Sequence, residues 1–463
     1  MCTRAPSIRA DSRAAPNRSL VSGNRRNFCI RRRLHGEGYV PKRSCDSIQT
    51  SIALIPVVCD TLAVAGCLYL LVAAIAVLRF GRGGRTPPQP NAHRPVSILK
   101  PLHGFEPHLE RCIERCLRQN YAGPVQLICG VRHHDDGAIA AVKNLAIRHP
   151  ERSIALIVSE REHGANRKVS NLGNMLPQAT HDLLVIADSD IEVGPDYLAR
   201  IVARMQLAGA GAVTCLYHGV AGPGAWSPMA ALAINTHFLP NVVIAIRLGL
   251  AKPCFGATIA LHRDTLARIG GFPAFADCLA DDHTIGQALR SAGYTIAISD
   301  MTVGHVCFHD RLGSLLASEL RAARTIRNIN PIGFFGTIVA HPFPLALIGA
   351  LAGGGNALLL ATIAIGCRLA LCLCIEQAFR LERQPLWLIP LRDMLSFAVF
   401  VWSYFGTTVT WKNLTYRIAP GGRLVPGDGA KPSNVAGFYN NVSNLLVEAI
   451  DRYGERFRPG GRG

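Results

Sequence analysis

Apolar residues fall into two kinds of run along this chain: long ones near the ends and short ones, set between polar stretches, in the middle. Ile52 to Leu78 is almost wholly apolar, interrupted by Pro56 and Asp60. It exceeds the roughly 20 residues that a membrane-spanning helix needs, and it predicts a signal anchor. From Val96 onward the pattern changes. Val96–Leu99, Val125–Val131, Ser153–Val158, Leu184–Ala187, Ala212–Tyr217 and Gly256–Leu261 are short apolar runs that predict buried strands. Between them, Leu109–Gln119, Ile139–Arg148, Tyr197–Leu207 and Thr284–Ser291 have helical spacing; Leu109, Cys112, Ile113, Cys116 and Leu117 share one face of the first. Strands alternating with helices at this spacing predict a mostly parallel sheet covered on both faces. Met229 to Leu250 is apolar around a central Pro240 and predicts a helix lying on the membrane surface. Beyond Phe308 comes a basic helical stretch, Glu319 to Arg327. Apolar runs then return at Leu345–Ile365, with Gly353–Gly354–Gly355 as a break, at Leu369–Ile375, and from about Leu386 through Phe397–Tyr404. These predict two to three spans.

The chain thereby divides into a basic, unfolded extension over 1–50, an anchor over 51–79, an α/β domain over 93–330, a membrane region over 337–406 and a polar tail over 407–463. Composition supports a membrane protein: 49% of the residues are hydrophobic and only 17% charged, and the mean hydropathy is +0.21. A net charge of +18 raises nucleic acid as a partner. No zinc-finger spacing or aromatic RNA-binding signature accompanies it, and arginine also gathers beside membrane segments. Nucleic acid is therefore not an expected partner. The 15 cysteines include no C-x-x-C pair, which suits reduced, buried thiols.

The candidate chemistry is carboxylate chemistry at strand and helix ends. Asp188–Ser189–Asp190 closes the strand at Leu184–Ala187. At the carboxyl edge of an open α/β sheet, where ligands collect, two such acids can hold a hard cation and, through it, a diphosphate. A strand followed by an acidic turn is the plainer alternative for so short a motif. Asp281–Asp282 opens the helix at Thr284, where acids also suit the helix dipole. Arg321 and Arg324 share a helix face, either as a phosphate clamp or as a basic face beside the membrane. His305, in Gly304–His305–Val306, is read as a structural histidine, with a place beside a metal as the alternative.

Seven segments, in order, carry a resemblance. They are Val96–Ser97–Ile98–Leu99–Lys100–Pro101–Leu102–His103–Gly104, His134–Asp135–Asp136, Asn166–Arg167–Lys168–Val169–Ser170–Asn171–Leu172, Ala187–Asp188–Ser189–Asp190, Gly256–Ala257–Thr258, Leu279–Ala280–Asp281–Asp282 and Arg321–Ala322–Ala323–Arg324. Over roughly 96–330, with apolar segments on both sides, the chain resembles the ceramide glucosyltransferase family, including its bacterial relatives in hopanoid glycolipid synthesis. The resemblance implies a nucleotide-diphospho-sugar glycosyltransferase (GT-A type) domain flanked by transmembrane helices, and a multi-pass membrane protein. It implies single, inverting transfer of glucose or N-acetylglucosamine from a UDP-sugar to a lipid hydroxyl, on ceramide or a hopanoid polyol. Carried over by residue, Asp135 and Lys168 contact the nucleotide, and Asp188 with Asp190 holds Mg²⁺ or Mn²⁺ and the diphosphate. Asp282 is the base with Asp281 beside it, and Arg321 and Arg324 meet the leaving group. Thr325 stands where many members carry Trp, which leans toward the hopanoid branch. A processive polysaccharide synthase with the same core and a non-enzymatic basic membrane-anchored binding protein are the competing readings. Topology is contested by charge. The arginines before the first span favour a cytoplasmic amino end, whereas Arg79, Arg82, Arg85, Arg94 and Lys100 are as positive after it. Nucleotide-sugar chemistry places the catalytic domain in the cytoplasm.

Overall fold

The computed structural model describes residues 42–83, 93–353, 355–406, 408–411, 414–418 and 424–426. Contacts divide the chain into residues 1–50 and 51–463; the sheet and the helices around it belong to the second. In chain order the elements are α1 (Lys42–Gly83), β1 (Val96–Pro101), α2 (Leu109–Leu117), β2 (Val125–Val131), α3 (Ala138–Arg148), β3 (Ser153–Val158), α4 (Arg167–Met175), β4 (Leu183–Ile186), β5 (Ile191–Glu192), α5 (Tyr197–Ala208) and β6 (Ala212–Ala221). There follow α6 (Ser227–Ala233), α7 (Leu239–Arg247), β7 (Ile259–His262), α8 (Arg263–Arg268), α9 (Asp281–Ser291), β8 (Ile296–Cys307) and α10 (Leu312–Ile329). The last are α11 (Pro331–Gly336), α12 (Pro342–Leu351), α13 (Ala357–Phe379), α14 (Ile389–Ser403) and the short strands β9 (Thr408–Trp411), β10 (Leu414–Ile418) and β11 (Leu424–Pro426).

Eight strands form one sheet in the order β3-β2-β1-β4-β7-β6-β8-β5. β3, β2, β1 and β4 run parallel. β7 is antiparallel to both its neighbours, β8 runs parallel to β6, and β5 closes the edge antiparallel to β8. Two apolar cores cover the two faces. Ile113, Val142, Leu198 and Val213 contribute to one, Leu99, Val169, Ile259 and Ile285 to the other. Because β2 and β4 flank β1 on opposite sides, the chain reverses direction across the sheet there. That switch point opens a crevice beyond the carboxyl ends of the strands.

β2 and β3 occupy the residues that the apolar runs predict, and α9 begins at Asp281, so both acids lie in its first turn. Three regions differ from expectation. β8 has no clear signature in sequence, since Ser299, Asp300, Thr302 and His305 interrupt it and its burial is uneven. The stretch expected on the membrane surface is instead α6 and α7 joined by a π-helical turn at Ile234–Phe238. It packs its apolar residues inward, with Leu239 and Val243 buried in one cluster with Leu70 and Leu371; Pro240 falls where the π-helical turn passes into α7. The tail, read only as polar, carries the antiparallel strands β9 to β11 among its described residues.

Among the described residues, four helices are long and apolar enough to cross a membrane: Leu54–Gly83, Ser227–Arg247, Leu358–Phe379 and Leu386–Ser403. Pro331–Ala340 and Pro342–Leu351, bent by 69°, make a fifth if they form one span. The run at Leu345–Ile365 is divided between α12 and α13 next to Gly353, whose φ of 97° ends the helix. α6 lies against β6 at Gly219, where an added Cβ would come within 2.6 Å of the Ala231 backbone. Gly219→Ala should therefore cost about 1–3 kcal/mol through overpacking. The measurement is the thermal unfolding midpoint in detergent, which falls if this contact is as close as described and stays put if it is not.

Candidate active site

The crevice gathers its charges around one lysine. Asn166 caps α4: its side-chain oxygen accepts from the backbone N–H groups of Lys168 and Val169 at 3.0 and 3.2 Å. Its amide also donates to the carbonyl of Cys278 at 2.7 Å, which ties α4 to the loop that precedes α9. The first turn of α4 so placed directs Lys168 between two carboxylates, 2.7 Å from Asp188 Oδ1 and 3.2 Å from Asp281 Oδ2. Burial alone would discharge this amine. The carboxylates of Asp188, Asp281 and Asp282 outweigh burial and hold the Lys168 ammonium well above its ordinary range.

Asp282 is fixed by two backbone donors, Gly256 N at 2.9 Å and His283 N at 2.7 Å. Its carboxyl is nonetheless pushed up to about 6, first by burial and then by Asp281, with Lys168 and the two N–H groups opposing. Gly256 sits at the centre of the cluster. A Cβ built there would lie 3.3 Å from Asp282 Oδ2, 3.4 Å from Lys168 Nζ and 3.6 Å from Asp188 Oδ2. Three charged groups thus converge on a position where only hydrogen stands.

The Asp188–Asp190 turn is gripped from beneath by Lys100, which is fully buried. Its ammonium donates to the carbonyls of Asp188 at 2.7 Å and Ile191 at 3.2 Å. β8 adds the far wall: Val306 N donates to the Asp190 carbonyl at 2.9 Å, and His305 Nε2 lies 3.0 Å from Asp190 Oδ2. The ring of Tyr217, from β6, meets His305 edge-on at 5.6 Å. Arg321, half-buried on α10, has its pKa lowered by burial, an effect opposed in part by the negative charge of Asp190.

Of the residues singled out in sequence, Lys168, Asp188, Asp281 and Asp282 form one cluster and Asp190 and His305 a second around the same turn, while Arg321 stands on α10 within range of the Asp190 charge. Asp135 is exposed at the end of β2, with no hydrogen bond or ion pair to either cluster among the described residues. Its neighbour Asp136 serves the fold by accepting from Gly104 N and Ala138 N, each at 2.9 Å. Gly104 has a φ of 72°, which suits glycine. Arg324 turns elsewhere, donating to the carbonyls of Phe405 at 2.9 Å and Thr408 at 2.6 Å. Lys100, Tyr217 and Gly256 carried no role in the sequence reading. A lysine inside an otherwise buried apolar strand was the available signal for the first.

Among the described residues, no three His, Cys, Asp or Glu side chains converge as a metal site by themselves. Asp188 and Asp190 offer hard oxygen donors two residues apart. That set fits Mg²⁺ or Mn²⁺, which is commonly held by one or two carboxylates together with substrate phosphates.

The glycosyl transferase family 21 model matches residues 58–424. The chain belongs to that family. Ceramide glucosyltransferase 1 of Caenorhabditis elegans is 23% identical over 352 residues, covering 71% of this chain and 72% of the relative. Ceramide glucosyltransferase 3 of the same organism is 25% identical over 72% of this chain and 74% of its own. A mannosyltransferase from Pyrobaculum calidifontis, solved with GDP-Man and Mn²⁺, aligns over 75% of this chain and 99% of its own at 21% identity and a TM-score of 0.44. This family 21 protein is a hexosyltransferase, ceramide glucosyltransferase-like, with apolar helices compatible with membrane association. Family membership implies a nucleotide-sugar donor and a lipid acceptor.

Gly256→Ala places a methyl group among Asp188, Lys168 and Asp282 and should lower sugar transfer on the order of tenfold, equivalent to ~1.4 kcal/mol in the barrier. Steady-state transfer rates compared with the unfolding midpoint check this. Full activity in a stably folded variant would show that the centre of the cluster is not the reacting space.

Proposed function

We propose that this protein transfers a single glucose or N-acetylglucosamine, with inversion, from a UDP-sugar to the hydroxyl of a membrane lipid. The observation that carries the reading is Asp282, a carboxylate held by two N–H groups beside Gly256 and raised to about 6. A lipid hydroxyl is a poor nucleophile, and a general base of that pKa is well matched to neutral pH. As the lipid oxygen bonds to the anomeric carbon, its proton passes to Asp282 and the bond from that carbon to the diphosphate oxygen breaks. Attack from the side opposite the leaving group inverts the configuration. Arg321 receives the departing UDP through charge-assisted hydrogen bonds. Lys168 holds Asp188 and Asp281 in place through its two ion pairs. A divalent cation held by Asp188 and Asp190 would neutralise the charge that develops on the diphosphate. Asp135 is the proposed contact to the uridine, and Arg324 reaches the diphosphate only by leaving the carbonyls it holds.

The acceptor is ceramide or a hopanoid polyol, and Thr325 leans the choice toward the hopanoid. The catalytic domain, residues 93–330, faces the cytoplasm, where nucleotide sugars are made. The anchor over 51–79 and the membrane region over 337–406 flank it.

Membranes containing the protein, supplied with UDP-glucose or UDP-N-acetylglucosamine and with ceramide or bacteriohopanetetrol, should yield a monoglycosylated lipid in one combination. A polymeric product would contradict single transfer. EDTA should abolish the reaction, and Mg²⁺ or Mn²⁺ restore it. Asp282→Asn should lose about 10²- to 10⁴-fold in kcat. The base works only when ionised, so kcat/KM should level off above about pH 7 and decline as pH falls through about 6. A profile that stays level well into the acid range would remove Asp282 as the base.

A further inference from the structure

The apolar helices bury a set of charges that the chemistry above does not use. Arg392 and Asp393 are adjacent on α14 and 1% and 0% exposed. Arg392 turns toward α10, where its two terminal nitrogens donate to Glu319 Oε1 and Oε2 at 2.7 and 2.8 Å. It also donates to the carbonyl of Met229 on α6 at 3.2 Å. Asp393 turns the other way. It accepts from Arg368 Nε of α13 at 3.1 Å and lies 3.1 Å from His237 Nε2 in the π-helical turn. Arg368 donates further to the carbonyls of Thr236 at 2.8 Å and of Ala340. A single helix is thus joined through fixed charges to α6, α10, α13 and the π-helical turn.

Ionisable groups within apolar spans are expensive and mark function more often than they add stability. Hydrophobic side chains would hold these helices together as well, but they would not fix one register as a two-pronged ion pair does. The register that matters is that of α10. Glu319 and Arg321 are two residues apart, about 200° around a helix axis. Arg392 therefore grips α10 from the side opposite the one that carries Arg321. Further along, Arg324 and Arg327 donate to the carbonyls of Phe405, Gly406 and Thr408, directly after α14. α10 is pinned to α14 and its following turn on both sides of Arg321.

We propose that the Arg392–Glu319 fork is a positioning pair for sugar transfer: it sets the roll of α10 and so aims Arg321 at the departing diphosphate. The inference rests on the reading of Arg321 as the partner of the leaving group. It places the control of Arg321 on α14, one of the helices long and apolar enough to cross a membrane.

The test uses the full chain in nanodiscs and four proteins: wild type, Arg321→Ala, the paired variant Glu319→Leu with Arg392→Met, and the triple variant. Removing both charges together avoids leaving one buried alone. The paired variant should lose about tenfold in kcat while KM for the UDP-sugar stays within about twofold, the signature of an interaction made in the transition state. In the Arg321→Ala background the same pair should cause no further loss. An unchanged kcat in the paired variant, or an equal loss with and without Arg321, overturns the proposal. Wild-type activity in Arg321→Ala alone would instead overturn the reading on which it rests. Should the paired variant fail to fold, Arg392→Lys keeps the charge but not the fork. It should slow transfer only when Arg321 is present, and a loss independent of Arg321, or none, again overturns the proposal.

Discussion

The Lys168 ammonium between Asp188 and Asp281 is the interaction on which the crevice depends. Without it, the end of β4 and the start of α9 would present three carboxylates to one another with no counter-charge. With it, Asp188 and Asp281 each gain an ion-pair partner, while Asp282, held by backbone N–H groups, is left at a pKa of about 6. In the proposed mechanism, one cation thereby stands between the acid assigned to the diphosphate and the acid assigned to take the proton. Asn166 makes this possible from outside the crevice, because it caps α4 and binds the Cys278 carbonyl with the same side chain.

A similar economy operates beneath the sheet edge. Lys100 neutralises no exposed group; it satisfies two main-chain carbonyls of the Asp188–Ile191 turn from within the core. The turn's carbonyls point inward and its carboxylates are left for the crevice. β8 then supplies His305 to Asp190 and closes the side away from Lys168. The apolar helices join the same construction through α10, whose inward face carries Arg321 and whose outward grip is the buried fork to Arg392. The catalytic and membrane parts thus share a helix.

Much of this was legible in sequence, and for a physical reason. Strands buried on both faces read as continuous apolar runs, which is why β2 stands where Val125–Val131 predicts it; β3, half-buried at the sheet's edge, is apolar enough to be read the same way. Acids at the ends of such runs mark the sheet edge. What escaped was structure without a local signature. β8 mixes Asp300, Thr302 and His305 with apolar residues because it lies near the sheet's edge and serves the crevice. Pro240 read as an interruption because the π-helical turn before it has no sequence pattern. The buried ion pairs could not be inferred at all. Arg368 and Asp393 are 25 residues apart and His237 and Asp393 are 156, so only the fold brings them together. Arg324 shows the reverse case: its spacing from Arg321 suggested a shared ligand, while the chain after α14 supplies carbonyls that hold it.

A structure of the full-length protein in nanodiscs with UDP and Mn²⁺ tests the central claim most directly. The account predicts the diphosphate at the carboxyl end of β4, with the metal on Asp188 and Asp190 and the guanidinium of Arg321 on the phosphate oxygens. A nucleotide bound away from that edge, or one with Arg321 turned from it, would contradict the account.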